Sequence, residues 1–233
     1  GIPVEWISIG GLRGKGLGTL LAAPFRLARA LWESLGVMRR RRPSVVVGLG
    51  GFVSGPGGLA AWLARRPLVI HEQNAVAGLT NRLLSRFARE VLVAFPGAFA
   101  AGRGTREIGN PVRREFFELP APELRWAGRS GPLRLLVVGG SQGATRLNAV
   151  VPQALARLAG SLPVDVRHQA GERWIAPARE AYAAAGLEAQ VVPFIDDIAA
   201  AYAWADLVVC RSGALTVSEL AAAGVPAVLV PFP

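Results

Sequence analysis

Hydrophobic positions in this chain fall into short β-branched runs, each followed by glycines, then by a stretch of helical spacing, then by another apolar run. Residues 45–49 predict a strand, 50–58 a glycine loop, 59–64 a short helix and 68–70 the next strand. The pattern returns with a strand at 133–138, a second glycine loop at 139–143 and a helix over 144–158 that contains Pro152. A third round runs from a strand at 207–210 through a loop at 211–214 and a helix at 215–223 to a closing strand at 227–230. Strands alternating with helices in this way predict an α/β fold on parallel sheets, because a parallel neighbour requires a crossover. Ahead of the three rounds, residues 12–35 place Leu17, Leu20, Leu21, Phe25, Leu27, Leu31, Trp32 and Leu35 among Lys15, Arg26 and Arg29. That is an amphipathic helix leading into the basic run 39–42.

Composition narrows the class. The 233 residues are 52% hydrophobic and 18% charged, which excludes disorder and suffices for a sizeable core. One cysteine, Cys210, excludes an intramolecular disulfide and a cysteine-rich metal site. The longest apolar-looking stretch, 43–64, is broken by Pro43, Pro56 and its glycines, so it makes a poor transmembrane helix. Residues 1–125 hold 18 basic and 8 acidic side chains, and the remainder holds 8 of each, so the whole excess of +10 sits in the first part. An anionic membrane, a nucleic acid or a phosphorylated substrate could each be drawn to it. All basic residues but Lys15 are arginine, a bias that lessens what arginine abundance says by itself. The charge changes where residues 119–132, with three prolines and two glycines, look most like a linker. Two α/β domains are therefore expected, over 1–113 and 114–233, joined near 113–132. A start at Gly1 without Met and an end just past an apolar strand read as a piece lacking both termini.

Three polar stretches could carry chemistry. Gly139, Gly140, Ser141, Gln142 and Gly143 lie between a strand and a helix, where glycine lets the main chain approach a ligand and the helix start offers amides to a phosphate. Taken alone, this is equally a tight turn in which Ser141 caps the helix. Thr216 and Glu219 follow Arg211, Ser212 and Gly213 and share a helix face, so a hydroxyl could meet phosphate while the carboxylate accepts ribose hydroxyls. The alternative there is a capping box, with Glu219 reaching back to Thr216. Two such loops in one domain favour a nucleotide diphosphate. His71, Glu72, Gln73 and Asn74 follow a buried strand at the end where parallel sheets place ligands, and His71 or Glu72 could serve as a base. His168 reads as structural and Cys210 as inert core. Asp196 and Asp197 are adjacent and read as the cap of the helix that follows.

The strings GLRGKG (11–16), GGFVSGPGGLAAW (50–62), HEQN (71–74), AGLTN (77–81), GNPVR (109–113), GGSQGA (139–144) and CRSGALTVSE (210–219) together resemble the MurG family. These are peptidoglycan N-acetylglucosaminyltransferases that convert lipid I to lipid II. The resemblance implies a GT-B fold of two facing Rossmann-like domains, lipid I on the first and UDP-N-acetylglucosamine mainly on the second, with inverting transfer and neither metal nor cofactor. Asn74 and Arg113 would line the cleft, Ser141 would meet the diphosphate and Ile195 would contact uracil. Ala214, Leu215, Thr216, Val217, Ser218 and Glu219 would form the nucleotide loop. Gly50, Gly51, Ser54, Gly55, Gly57 and Gly58 would hold the pyrophosphate of lipid I. Lys15, Leu17, Leu21, Phe25 and Trp32 would form a patch facing an anionic inner membrane, peripheral and on its cytoplasmic face, with no nucleic-acid partner. The family's favoured histidine would lie upstream of Gly1, leaving the catalytic residue here unassigned, with Glu72 the one local candidate. A piece so bounded is expected to be inactive by itself. The alternatives are another GT-B glycosyltransferase with a lipid acceptor, or a UDP-sugar epimerase of the same fold.

Overall fold

The computed structural model describes residues 3–9, 22–100, 104–140, 144–158 and 160–231. Lys15, Leu17, Leu21, Ser141 and the whole 12–21 part of the amphipathic segment lie outside the described residues. The chain divides into two compact units, Gly1–Asn110 and Pro111–Pro233. Split there, the first unit carries 15 basic and 5 acidic side chains and the second 11 of each.

The first unit begins with α1 (Ala23–Arg41), whose Ala23, Ala30, Ser34 and Met38 recur at helical spacing and form its buried stripe. Pro24 starts it, Arg39, Arg40 and Arg41 complement the negative end of its dipole, and Arg42 ends it with φ 44°. The helix therefore runs six residues past Leu35, where the basic run looked like its end, because Met38 continues the buried face. Next come β1 (Val46–Gly48), α2 (Ser54–Leu63), β2 (Leu68–Glu72), α3 (Leu79–Leu84), β3 (Glu90–Val93) and β4 (Arg106–Glu107). The four strands pair in parallel in chain order, with Gly48 opposite Ile70 and Glu72 opposite Val93. Their core joins Met38, Leu68, Ile70, Leu84, Val91 and Val93.

The expected glycine loop at 50–58 is shorter than the composition suggested, since α2 starts at Ser54 and takes Ser54, Gly55, Gly57 and Gly58 into the helix. Only Gly50 (φ 83°) and Gly51 (φ 72°) need glycine for their backbone angle. Gly58 is a packing glycine: a Cβ there would lie 2.7 Å from the Leu84 methyls.

The second unit holds α4 (Arg114–Phe117), α5 (Pro122–Trp126), β5 (Leu133–Val138), α6 (Thr145–Leu158), β6 (Val164–Gln169), α7 (Ile175–Ala184), β7 (Gln190–Val192), α8 (Ile198–Trp204), β8 (Leu207–Arg211), α9 (Ala214–Ala223) and β9 (Ala227–Val230). Its parallel sheet has the order β7-β6-β5-β8-β9. Along β5, Leu136 points into the cluster of Phe116, Tyr202, Val208 and Cys210, while Leu135 and Val137 point into that of Leu147, Val151, Val166 and Tyr182. That alternation covers both faces of the sheet, which is why its strands read as unbroken apolar runs.

The stretch 119–132 is no tether. Arg125 of α5 donates to the carbonyls of Tyr202, Ala223 and Gly224 at 3.3, 2.5 and 3.2 Å, and Arg129 pairs with Asp206. A Cβ at Gly224 would come within 2.7 Å of Pro122. Proline here starts a short helix that clasps the second unit, a role the composition could not separate from flexibility.

Candidate functional site

In the second unit β5 and β8 are neighbours, and Val138 lies opposite Cys210. The turns that follow them therefore leave the same edge of the sheet side by side, each feeding a helix. Gly139 is obligatory for contact reasons, since a Cβ would sit 2.9 Å from the Ala144 nitrogen and 3.0 Å from the Gln169 oxygen. Gly140 is obligatory for its backbone, with φ 79°. Gly213 caps α9 in an extended conformation without a side-chain hydrogen bond, and the first turn closes from the Val217 amide to the Gly213 carbonyl at 2.9 Å. The opening amides of an α-helix lack a carbonyl one turn back, so α6 and α9 point donors and positive dipole ends toward this edge.

The capping box does not form. Thr216 sits on the third residue of α9, and Glu219 turns to Arg113, whose Nη2 lies 3.5 Å from its Oε1. Arg113 also pairs with Glu115 at 3.0 Å and stacks on the Phe116 ring at 4.9 Å. Burial raises the Glu219 pKa, and Arg113 offsets part of that shift. Along α9, Leu215 is exposed, Ala214, Thr216, Val217, Ser218 and Glu219 are half-buried, and the Ser218 hydroxyl donates to the Ala214 carbonyl at 2.9 Å. Ile195, after β7, packs against the Tyr202 cluster and stays partly open. Asp197 caps α8 by accepting from the Ala200 amide at 2.8 Å, as its sequence position suggested. Cys210 is buried, and burial pushes its thiol up to about 11, so it is inert packing.

The edge of the first unit is built differently, out of side chains. Glu72 is buried and accepts from the Asn74 amide and side chain (3.0 Å each), the Gly78 amide (3.1 Å) and Asn81 Nδ2 (2.9 Å). Burial acts to raise its pKa, yet these donors outweigh it and hold the carboxyl below the ordinary range. A carboxylate so occupied is a feeble base, and what it does here is order the loop that carries Asn74. His71 Nε2 lies 3.0 Å from the Gly109 carbonyl, and Asn110 donates to the Gln73 carbonyl at 3.1 Å. Asn81 is the hub that the sequence reading missed. It donates to the His71 carbonyl as well as to Glu72, and a Cβ on Gly50 would lie 3.2 Å from its amide. An asparagine among Leu79, Leu83 and Leu84 was the available signal. Ser54 closes the turn by donating to the Gly50 carbonyl at 2.5 Å. Of the residues expected at one cleft, Asn74 belongs to the first unit and Arg113 to the second.

On α1, Phe25 and Trp32 lie seven residues apart on the outward face, 78% and 73% exposed, with Arg29 between them. A second aromatic pair, Trp62 and Phe87, is exposed with ring centroids 4.8 Å apart, near exposed Arg65 and Arg86. Periodicity gave no hint of it, because Trp62 lies in α2 and Phe87 in the turn after α3. Among the described residues no helix is long and apolar enough to cross a membrane.

Comparison with known proteins agrees with this layout. Residues 1–93 match the N-terminal domain of glycosyltransferase family 28 and residues 134–233 match its C-terminal domain. The chain is 61% identical over 232 residues to the UDP-N-acetylglucosamine--N-acetylmuramyl-(pentapeptide) pyrophosphoryl-undecaprenol N-acetylglucosamine transferase of Alkalilimnicola ehrlichii, covering 100% of this chain and 65% of that protein. A crystal structure of Acinetobacter baumannii MurG superposes with a TM-score of 0.79 at 43% identity, again over 100% of this chain and 65% of the other. At 16% identity, a UDP-N-acetylglucosamine 2-epimerase from Listeria monocytogenes shares the fold with a TM-score of 0.62, covering 87% of this chain and 62% of that one.

Proposed function

The chain belongs to glycosyltransferase family 28, and on that premise we infer that it acts in inverting transfer of N-acetylglucosamine from UDP-N-acetylglucosamine to lipid I, forming lipid II. Its two parallel-sheet α/β domains are those of the GT-B class. The observation that carries this reading is the pair of glycine turns after β5 and β8, side by side on one sheet edge and each opening a helix.

Such an edge suits a diphosphate. As the acceptor's sugar hydroxyl attacks the anomeric carbon in line, the bond to the leaving phosphate breaks and negative charge grows on the UDP oxygens. Main-chain donors and helix ends aimed at that charge stabilise it without rearranging during the step. Glu219, held beside Arg113, has carboxyl oxygens able to accept ribose hydroxyls, and Ile195 offers a partly open apolar surface for uracil. In the first unit, the Gly50–Gly51 turn and the start of α2 are suited to the pyrophosphate of the lipid, and Asn74 is presented by the loop that Glu72 orders. The exposed aromatics of α1, joined by Trp62 and Phe87 in a unit carrying the entire positive excess, support peripheral attachment to an anionic inner-membrane surface. Proton transfer from the acceptor hydroxyl is not assigned to any described residue.

The test is to supply the complete gene product with UDP-[14C]N-acetylglucosamine and a lipid I analogue. Label in the lipid fraction, with inversion at the anomeric carbon, is the expected outcome. Label that stays on UDP as a different hexosamine would instead point to the epimerase reading.

A further inference from the structure

Beneath the turn at Gly139 lies a chain of buried polar groups that the functional reading does not use. His168 on β6 is fully buried, with Nδ1 3.0 Å from the Tyr182 hydroxyl of α7 and Nε2 3.0 Å from Asn148 Oδ1 of α6. Asn148 Nδ2 donates to the Ala170 carbonyl at 3.0 Å. Every direction in this chain is forced. A carbonyl only accepts, so Asn148 must turn its NH2 toward Ala170 and its oxygen toward His168. An amide oxygen only accepts, so His168 must carry its proton on Nε2. Neutral imidazole has one N–H, so Nδ1 receives the Tyr182 proton donor. Burial keeps both rings in the required state, lowering the His168 pKa to about 4 and raising that of the Tyr182 phenol.

The two ends of the Asn148 bridge both abut the Gly139 turn. Asn148 lies in the first turn of α6, where its amide donates to the Ala144 carbonyl at 2.9 Å, and Ala144 is the residue a Cβ on Gly139 would strike. Ala170 follows Gln169, whose carbonyl accepts the Gly139 amide at 3.2 Å. Any slip of α6 along the sheet edge would break the Asn148–Ala170 bond and strand a buried carbonyl. We propose that the Tyr182–His168–Asn148–Ala170 relay is a positioning device that fixes the start of α6 against the end of β6 and so sets the placement of the main-chain amides for the nucleotide's diphosphate. The proposal rests on the reading of this edge as the donor site, and it makes Asn148, His168 and Tyr182 positioning residues.

A merely structural network would affect stability but would not discriminate between ligands with and without phosphate. The test therefore compares UDP with uridine, by calorimetry and NMR titration, on the complete gene product and two variants. Asn148→Asp keeps acceptance from His168 but turns lone pairs on the Ala170 carbonyl; Tyr182→Phe removes one donor at nearly constant volume. UDP affinity should fall by about 5- to 20-fold in Asn148→Asp and by about 2- to 5-fold in Tyr182→Phe, with uridine affinity unchanged and the KM for acceptor unmoved. Should Asn148→Asp fail to fold, Tyr182→Phe carries the comparison. Nitrogen-15 spectra of the parent protein should show the Nε2–H tautomer of His168. Equal losses for UDP and uridine, variants that bind UDP like the parent, or an Nδ1–H tautomer would each overturn the relay alone. A parent protein that fails to bind UDP would remove the donor-site reading and the relay's role together.

Discussion

The two units share a parallel sheet with polar loops at the strand ends, yet they build that edge from opposite materials. In the first unit buried side chains do it: Glu72, Asn81 and His71 tie β2, α3 and the Gly109 turn together. In the second, main chain does it, through Gly139, Gly140 and Gly213 at the starts of α6 and α9, with side chains buttressing from below. The first unit carries the whole net charge and the second none. An edge of amides can therefore favour an anion where the surrounding charge is neutral, whereas the first unit attracts anions at long range and organises its loop by local bonding. One glutamate from each unit, Glu72 and Glu219, makes the contrast concrete. Burial acts on both, but Glu72 is overcompensated by four donors, while Glu219 has one guanidinium 3.5 Å away.

That contrast can be broken in four ways. The largest effect is expected from Gly139→Ala, which drives a methyl into the Ala144 nitrogen and the Gln169 oxygen. Stability should fall by about 3 kcal/mol in urea unfolding and UDP binding should be lost in calorimetry, whereas Gly58→Ala, crowding Leu84, should cost about 1–3 kcal/mol and leave UDP binding intact. Loss of UDP binding in Gly58→Ala would mean that the units are not independent in this respect.

Next comes Glu72→Gln, which faces an NH2 toward groups that also donate; unfolding should show a loss of about 2–3 kcal/mol with UDP affinity unaltered. Its pH dependence follows from the direction of the shift. A folded-state pKa below the unfolded one gives stability that is full above the unfolded value and lost as pH falls through the folded value. Acid unfolding of the parent should thus steepen below the ordinary carboxylate range, and that component should vanish in Glu72→Gln.

Glu219 should behave with the opposite sign, because its raised pKa means that ionisation costs stability, relieved as pH drops. Glu219→Ala is expected to weaken UDP binding by about 1–3 kcal/mol through lost ribose hydrogen bonds, measured calorimetrically. The isosteric Glu219→Gln should leave unfolding midpoints unchanged or slightly higher. An unaltered UDP affinity in both variants would remove the carboxylate from the site.

The smallest effect concerns the surface. Replacing Phe25 and Trp32 by Glu should reduce flotation with anionic vesicles by about tenfold, with little change in melting temperature, since both side chains are already exposed. Flotation equal to that of the parent would detach these aromatics from any membrane role.

Much of this architecture is local and hence legible in residue order. The boundaries of β5 and β9 coincide with their apolar runs, and the glycines after β5 and β8 mark the two turns, because an apolar run, the positive φ of Gly140 and the extended cap at Gly213 are properties of a few consecutive residues. The Asp197 cap was readable for the same reason, and Cys210 at the end of an apolar run read as inert packing. The motifs named the family because seven of them recur in order along one chain.

What residue order alone established, then, is an α/β protein of two domains, with the net positive charge confined to one and strand–glycine–helix turns in both. Tertiary structure decided which glycines are bent and which are packed, turned the proline-rich stretch 119–132 into a clasp, made Glu72 an anchor and aligned Asn148 with His168. The reason is physical: each of those outcomes depends on an atom that the chain meets only after folding, such as Leu84 over Gly58, the Ala223 carbonyl beside Arg125, or Asn81 beneath the Glu72 carboxylate.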